Sequence, residues 1–228
     1  MNQYKFSIIN TDLDITLLLD LRHYTKGDNY MTSLNIMERL KTETAHYHRQ
    51  VEQNPYAKAI MDSTITIEQY RAYLEKFYGF LKPLEDQAVT LPFWAETGLD
   101  IGIRGKAGLL EQDLMNLGAS EEHIKQIPRC NEKELPDITT PAGLFGYLYV
   151  IEGSTNGGQI MTKRLSQFLP IEADHGLQYF NAYGTETRTR WSEFMQLLQQ
   201  SIHTPEEQDI TVFTASETFR LLDRWINT

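Results

Sequence analysis

Residues 144–169, LFGYLYVIEGSTNGGQIMTKRLSQFL, constrain the fold more than any other stretch of the chain. Leu144, Leu148, Ile151, Thr155, Thr162, Leu165 and Leu169 are separated by steps of three, four or seven. That is the period of a helix with one buried face. Yet Gly153, Gly157 and Gly158 sit in its middle, and each glycine costs about 1 kcal/mol relative to alanine inside a helix. Gly153 and Gly157 are four apart, so they share a face and leave a strip of bare backbone. Ser154, Thr155 and Asn156 between them compete for backbone hydrogen bonds. The pattern predicts a kinked helix with something flat and bulky lying against its glycine face. A tight helix–helix crossing without a ligand is the alternative, and the stretch alone does not choose between them.

The chain has 228 residues, 41% of them hydrophobic, enough for a substantial core. Its formal charge is −10, which argues against a phosphate-binding nucleic-acid surface. A single cysteine, Cys130, excludes an intramolecular disulfide and matches a reducing, cytoplasmic setting. No apolar run approaches the ~20 residues of a membrane span. Residues 1–30 read differently from the rest. Their short apolar run is broken by Asp20 and no basic cluster precedes it, so a secretory signal is not expected. We read residues 1–30 as an N-terminal extension, not native or not ordered, and residues 31–228 as one domain.

Thr32 and Ser33 are good N-cap residues for a first helix over residues 33–53, with Pro55 past its end. Thr66 with Gln69 forms a capping box for a second long helix, which Pro83 should kink or interrupt. Short helices follow over residues 106–117 and from Ser120. The glycine-bearing helix comes next, then a short segment over residues 176–183 and a helix reaching about Ile202. A last helix opens at Thr204, with Pro205 at its first position and Glu207 completing a second capping box. Convincing β-alternation is absent outside the first thirty residues. The reading is a single all-helical domain.

His48 lies on the apolar stripe of the first helix, with Thr44 and Glu52 one turn to either side. A neutral imidazole so placed can ligate a haem iron, and a nearby carboxylate can orient it; a satisfied core histidine is the plainer reading. His46 points roughly the opposite way, and Lys41, two turns earlier, shares the side of His48. A di-iron carboxylate centre is a competing reading. Glu43 with His46 and Glu172 with His175 make two Glu-x-x-His patterns, and Glu75 and Glu152 could complete the set.

Two separate stretches resemble one family. LKTETAHYHRQVE, residues 40–52, resembles the proximal-histidine helix of haem oxygenases, and YVIEGSTNGGQI, residues 149–160, resembles their glycine-rich distal helix in the form common among bacterial biliverdin-producing members. Residues 109–118, 180–194 and the terminal TFRLLDRWI also look familial, so the resemblance covers roughly residues 33–228. It implies an all-α haem-oxygenase-like fold with haem, both cofactor and substrate, between the proximal and distal helices. It implies His48 as the iron ligand, with Lys41, Thr44 and Glu52 beside it. Gly153 and Gly157 would admit the porphyrin, with Tyr149 and Gly158 near its periphery. The activity implied is cleavage of haem to biliverdin, carbon monoxide and ferrous iron, using O2 and electrons from a donor protein or small reductant, with a biliverdin-binding protein downstream. A non-catalytic haem carrier or sensor is the alternative. The haem carboxylates need cations, and Lys41, Arg188 and Arg190 are candidates. Many members carry an aspartate after the first distal glycine. Ser154 stands there in this chain, and a hydroxyl is a poorer proton source.

Overall fold

The computed structural model describes residues 35–228, so the expected extension and the Thr32 and Ser33 caps lie outside the described residues. The described chain is helical, with only isolated bridges around Glu172 and no strand. We number the helices α1 (Ile36–Val51), α2 (Pro55–Met61), α3 (Ile67–Ala88), α4 (Trp94–Thr97), α5 (Ile101–Arg104), α6 (Ala107–Asn116), α7 (Glu121–Gln126), α8 (Pro141–Leu165), α9 (Gln178–Asn181), α10 (Thr187–Ser201) and α11 (Pro205–Ile226).

Local chemistry sets most of the boundaries. Asn35 caps α1 by accepting from the Met37 N–H. Pro55 opens α2 behind an Asn54 cap. Both expected capping boxes are present, at Thr66–Gln69 and Thr204–Glu207. Gly118 takes positive φ just beyond α6.

Helix α3 departs from expectation, because it runs through Pro83 without interruption. A proline removes the N–H that would bond the carbonyl four residues back. Here that carbonyl belongs to Gly79, and it accepts the Cys130 N–H at 2.8 Å instead. The approach needs a glycine, since a Cβ on Gly79 would lie 2.3 Å from the Pro128 carbonyl oxygen.

Helix α11 is the spine of the molecule and packs most extensively against α8 and α1. The crossing with α8 is close: a Cβ on Gly146 would lie 2.4 Å from the Thr211 carbonyl oxygen. Trp225 ties α11 to α3 by donating its indole N–H to the Lys76 carbonyl at 2.8 Å. Helices α1 and α8 therefore flank α11, and among the described residues they make no extensive contact with each other. No described helix is long and apolar enough to cross a membrane.

Candidate functional site

His48 projects from α1 with 28% of its side chain exposed, and its ring meets Phe219 of α11 edge-on at 5.4 Å. Burial pushes its pKa below the usual imidazole range, with Arg49 adding to the effect, so the ring is neutral and keeps a lone pair for a metal. Nδ1 faces Glu52 Oε1 at 3.6 Å, beyond a direct hydrogen bond. Burial raises the Glu52 carboxyl to about 7, so the two groups adjoin without forming a charged pair. Thr44 is buried and donates its hydroxyl to the Leu40 carbonyl at 2.6 Å, which leaves its methyl to pack. Lys41 is exposed. His46 is exposed on another face, beside a shallow polar depression that also includes Arg49 and Asp223.

Across the molecule, α8 carries the glycine strip in one unbroken helix that begins at Pro141. The competition for backbone acceptors is visible in three consecutive residues. Ser154, Thr155 and Asn156 donate to the carbonyls of Ile151, Glu152 and Gly153 at 2.7, 2.6 and 3.4 Å. Such back-bonding bends helices without breaking them.

The glycines differ in what surrounds them. Among the described residues, a Cβ on Gly153 would meet only the Trp191 ring, at an ordinary 3.5 Å. Gly157 is half-buried on the same face. Gly158 was expected near a bound ring, but its requirement is accounted for by packing: a Cβ there would lie 2.3 Å from the Phe180 carbonyl oxygen of α9. Tyr149 is half-buried and its ring meets Trp191 at 5.7 Å. Ser154 is exposed.

The two arginines divide. Arg188 is exposed, whereas Arg190 pairs with Glu186 at 3.0 Å and with Glu193 at 3.3 Å, the arrangement of a solvated helix face. The di-iron reading is corrected. Glu172 and His175 lie in a tight turn, Glu75 bonds His123 at 2.8 Å, and Glu152 bonds Arg104 and Lys106. No metal-holding group of three or more His, Cys, Asp or Glu exists among the described residues.

Sequence reasoning missed the buried polar cluster beside the strip. Glu152 and Lys106 are essentially inaccessible, and Arg104 nearly so. Glu152 Oε2 accepts from Arg104 at 2.6 Å; Oε1 accepts from Lys106 at 3.0 Å and from the Tyr183 hydroxyl at 2.8 Å. Burial lowers the Lys106 pKa and Glu152 opposes the shift. The available signal was a lone acid inside the apolar run YVIEGS, which a helix buries only beside cations.

The model of the heme oxygenase family matches residues 34–228. A curated heme oxygenase from Xanthomonas campestris pv. campestris is 29% identical over 147 residues, 64% of this chain and 81% of the relative. The heme oxygenase of Neisseria meningitidis, solved in NO- and CO-bound forms, superposes with a TM-score of 0.69 at 22% identity, covering 86% of this chain and 92% of that one. That of Leptospira interrogans gives 0.67 at 16%, covering 85% and 98%. That of the cyanobacterium Synechocystis, in complex with heme, gives 0.67 at 15%, covering 85% and 91%. At these identities the structural likeness shows the shared all-α fold.

Proposed function

The chain belongs to the haem oxygenase family, enzymes that degrade haem, and on that premise we propose how its own residues serve the reaction. Haem, when bound, supplies the iron at which O2 is activated and the ring that is opened to biliverdin with release of carbon monoxide and ferrous iron.

The observation that carries the reading is the half-buried, neutral imidazole of His48, with Glu52 at its Nδ1 side. Nδ1 turned toward the carboxyl at 3.6 Å leaves Nε2 as the atom that would meet iron, and a small closure of that gap would give the carboxyl–imidazole bond that orients metal-bound histidines. The residues fit a porphyrin on a second count. Among the described residues, the α8 backbone at Gly153 meets the Trp191 ring at no closer than ordinary contact distance, so with that ring displaced a flat group can approach it where any longer side chain would intrude. Lys41 and Arg188, both exposed, are the cations free to meet the haem carboxylates; Arg190 is engaged by Glu186 and Glu193.

Proton delivery rests on Ser154. Its hydroxyl proton is directed to the Ile151 carbonyl, so its oxygen lone pairs remain to accept from water. A water held there and by neighbouring backbone carries the proton that the aspartate of other members helps to supply. Electrons come from outside the chain, from a donor protein or a small reductant. Biliverdin passes to a binding protein in the same cytoplasmic setting.

Adding hemin to the purified protein tests the reading. A one-to-one complex whose Soret band decays under ascorbate and air, with a bilin appearing on chromatography, is the expected result. A complex that survives repeated reduction in air would leave only a haem carrier.

A further inference from the structure

We propose that Glu152 is the positioning residue that fixes the rotation of α8, and with it the direction in which the Gly153–Gly157 strip faces. The proposal rests on the haem-degrading reading of that strip.

Glu152 lies about 120° around α8 from the centre of the strip, at 100° per residue, so it grips the helix from another side. The grip has two points. Arg104 holds Oε2, while Lys106 and Tyr183 hold Oε1. Fixing both carboxylate oxygens fixes the helix about its axis and along it, as an apolar contact that can slip does not.

The holders are themselves anchored. The Glu85 carboxylate of α3 accepts the Lys106 N–H at 2.6 Å and the Ala107 N–H at 3.1 Å, and Lys106 Nζ also donates to the Arg104 carbonyl at 2.5 Å. The rotation of α8 is thereby referred to α3. A second arm closes the circuit: the Arg104 guanidinium lies over the Phe194 ring at 5.4 Å, Phe194 stacks on Trp191 at 5.8 Å, and Trp191 covers Gly153.

Orientation accounts for the cluster better than stability does. Well-packed apolar residues of similar volume often match or exceed a buried ion pair in stability. A strip of glycines has no side chains of its own to set its direction, so the direction must be imposed from elsewhere on the helix.

The test uses two variants of the full chain. Glu152→Asp keeps the charge and shortens the reach. Glu152→Gln with Arg104→Met and Lys106→Met removes the carboxylate together with both cations that hold it, so that none of the three is left as an unpaired buried ion. Hydrogen exchange is measured on the apo-proteins, and hemin affinity and bilin isomer composition on the loaded ones. In both variants we expect a cooperative melt and amide exchange across residues 153–158 faster by roughly tenfold. Hemin Kd should rise by about tenfold or more, and the bilin isomer distribution should broaden relative to wild type. Unchanged exchange at residues 153–158 would overturn the proposal, as would unchanged affinity and isomer composition beside a lowered Tm. Loss of the fold in both variants would also overturn it, marking the cluster as structural. If wild type itself neither binds nor degrades hemin, the haem reading fails, while apo exchange still decides whether Glu152 orients α8.

Discussion

At the scale of single residues, the site separates histidines and glycines that look equivalent in sequence. His48 is half-buried against Phe219, while His46 is exposed on another face of α1. We expect His48→Ala to abolish the ferric low-spin spectrum of added hemin and His46→Ala to leave it intact; the reverse pattern would move the ligand. The glycines make a sharper pair. Gly153 has room for a methyl in the apo-protein, so Gly153→Ala should hold or raise apo stability by up to about 1 kcal/mol while weakening hemin binding. Gly158→Ala must displace the Phe180 carbonyl and should cost about 1–3 kcal/mol as overpacking does. Thermal melts of both apo-variants, followed by hemin titration, check this. Equal destabilisation by the two would mean that the whole strip serves packing alone.

Among the elements, α9 is the contact that Gly158 accommodates, and Asp113 holds its N-terminus. Its carboxylate accepts the Gln178 and Tyr179 N–H groups, each at 2.8 Å. Burial nonetheless raises Asp113 to about 6 from an ordinary 3.8. A carboxyl with a raised folded-state pKa contributes stability fully present below its unfolded value and lost as pH rises through its folded value. Wild-type stability minus that of Asp113→Asn should therefore fall between about pH 4 and pH 6.5, by on the order of 3 kcal/mol. Denaturant melts across that range measure the difference, and a pH-independent difference would remove Asp113 as its source. The elements also show what sequence can reveal. The capping boxes of α3 and α11, the stop at Gly118 and the His48 face of α1 depend on residues within a turn or two, so they were legible. The passage of α3 through Pro83 was not, because the compensating donor is Cys130, far along the chain. The lone acid in YVIEGS was legible but its partners were not, for the same reason: Arg104, Lys106 and Tyr183 lie 48, 46 and 31 residues away.

In the molecule as a whole, α11 packs against both α1 and α8, so the helix that bears His48 and the helix that bears the Gly153–Gly157 strip share one support. The sequence carried those two helices in two local patterns, the apolar stripe through His48 and the interrupted stripe through Gly153. What links the two helices is α11, which neither pattern mentions. Ser154 stands where the resemblance implies an aspartate, and the proposed consequence is a rate. With water held by a hydroxyl and backbone, Ser154→Ala should slow turnover about two- to tenfold, and Ser154→Asp should stay active; stopped-flow decay of the Soret band under matched reductant compares them. An inactive Ser154→Asp would show that an acid at this position disrupts the water arrangement. The most direct test of the central claim is aerobic turnover of the one-to-one hemin complex with ascorbate, followed by absorption and chromatography. The account predicts Soret decay with a matching yield of biliverdin, absent in His48→Ala. An intact haem spectrum after repeated reduction in air, with no bilin recovered, would contradict it.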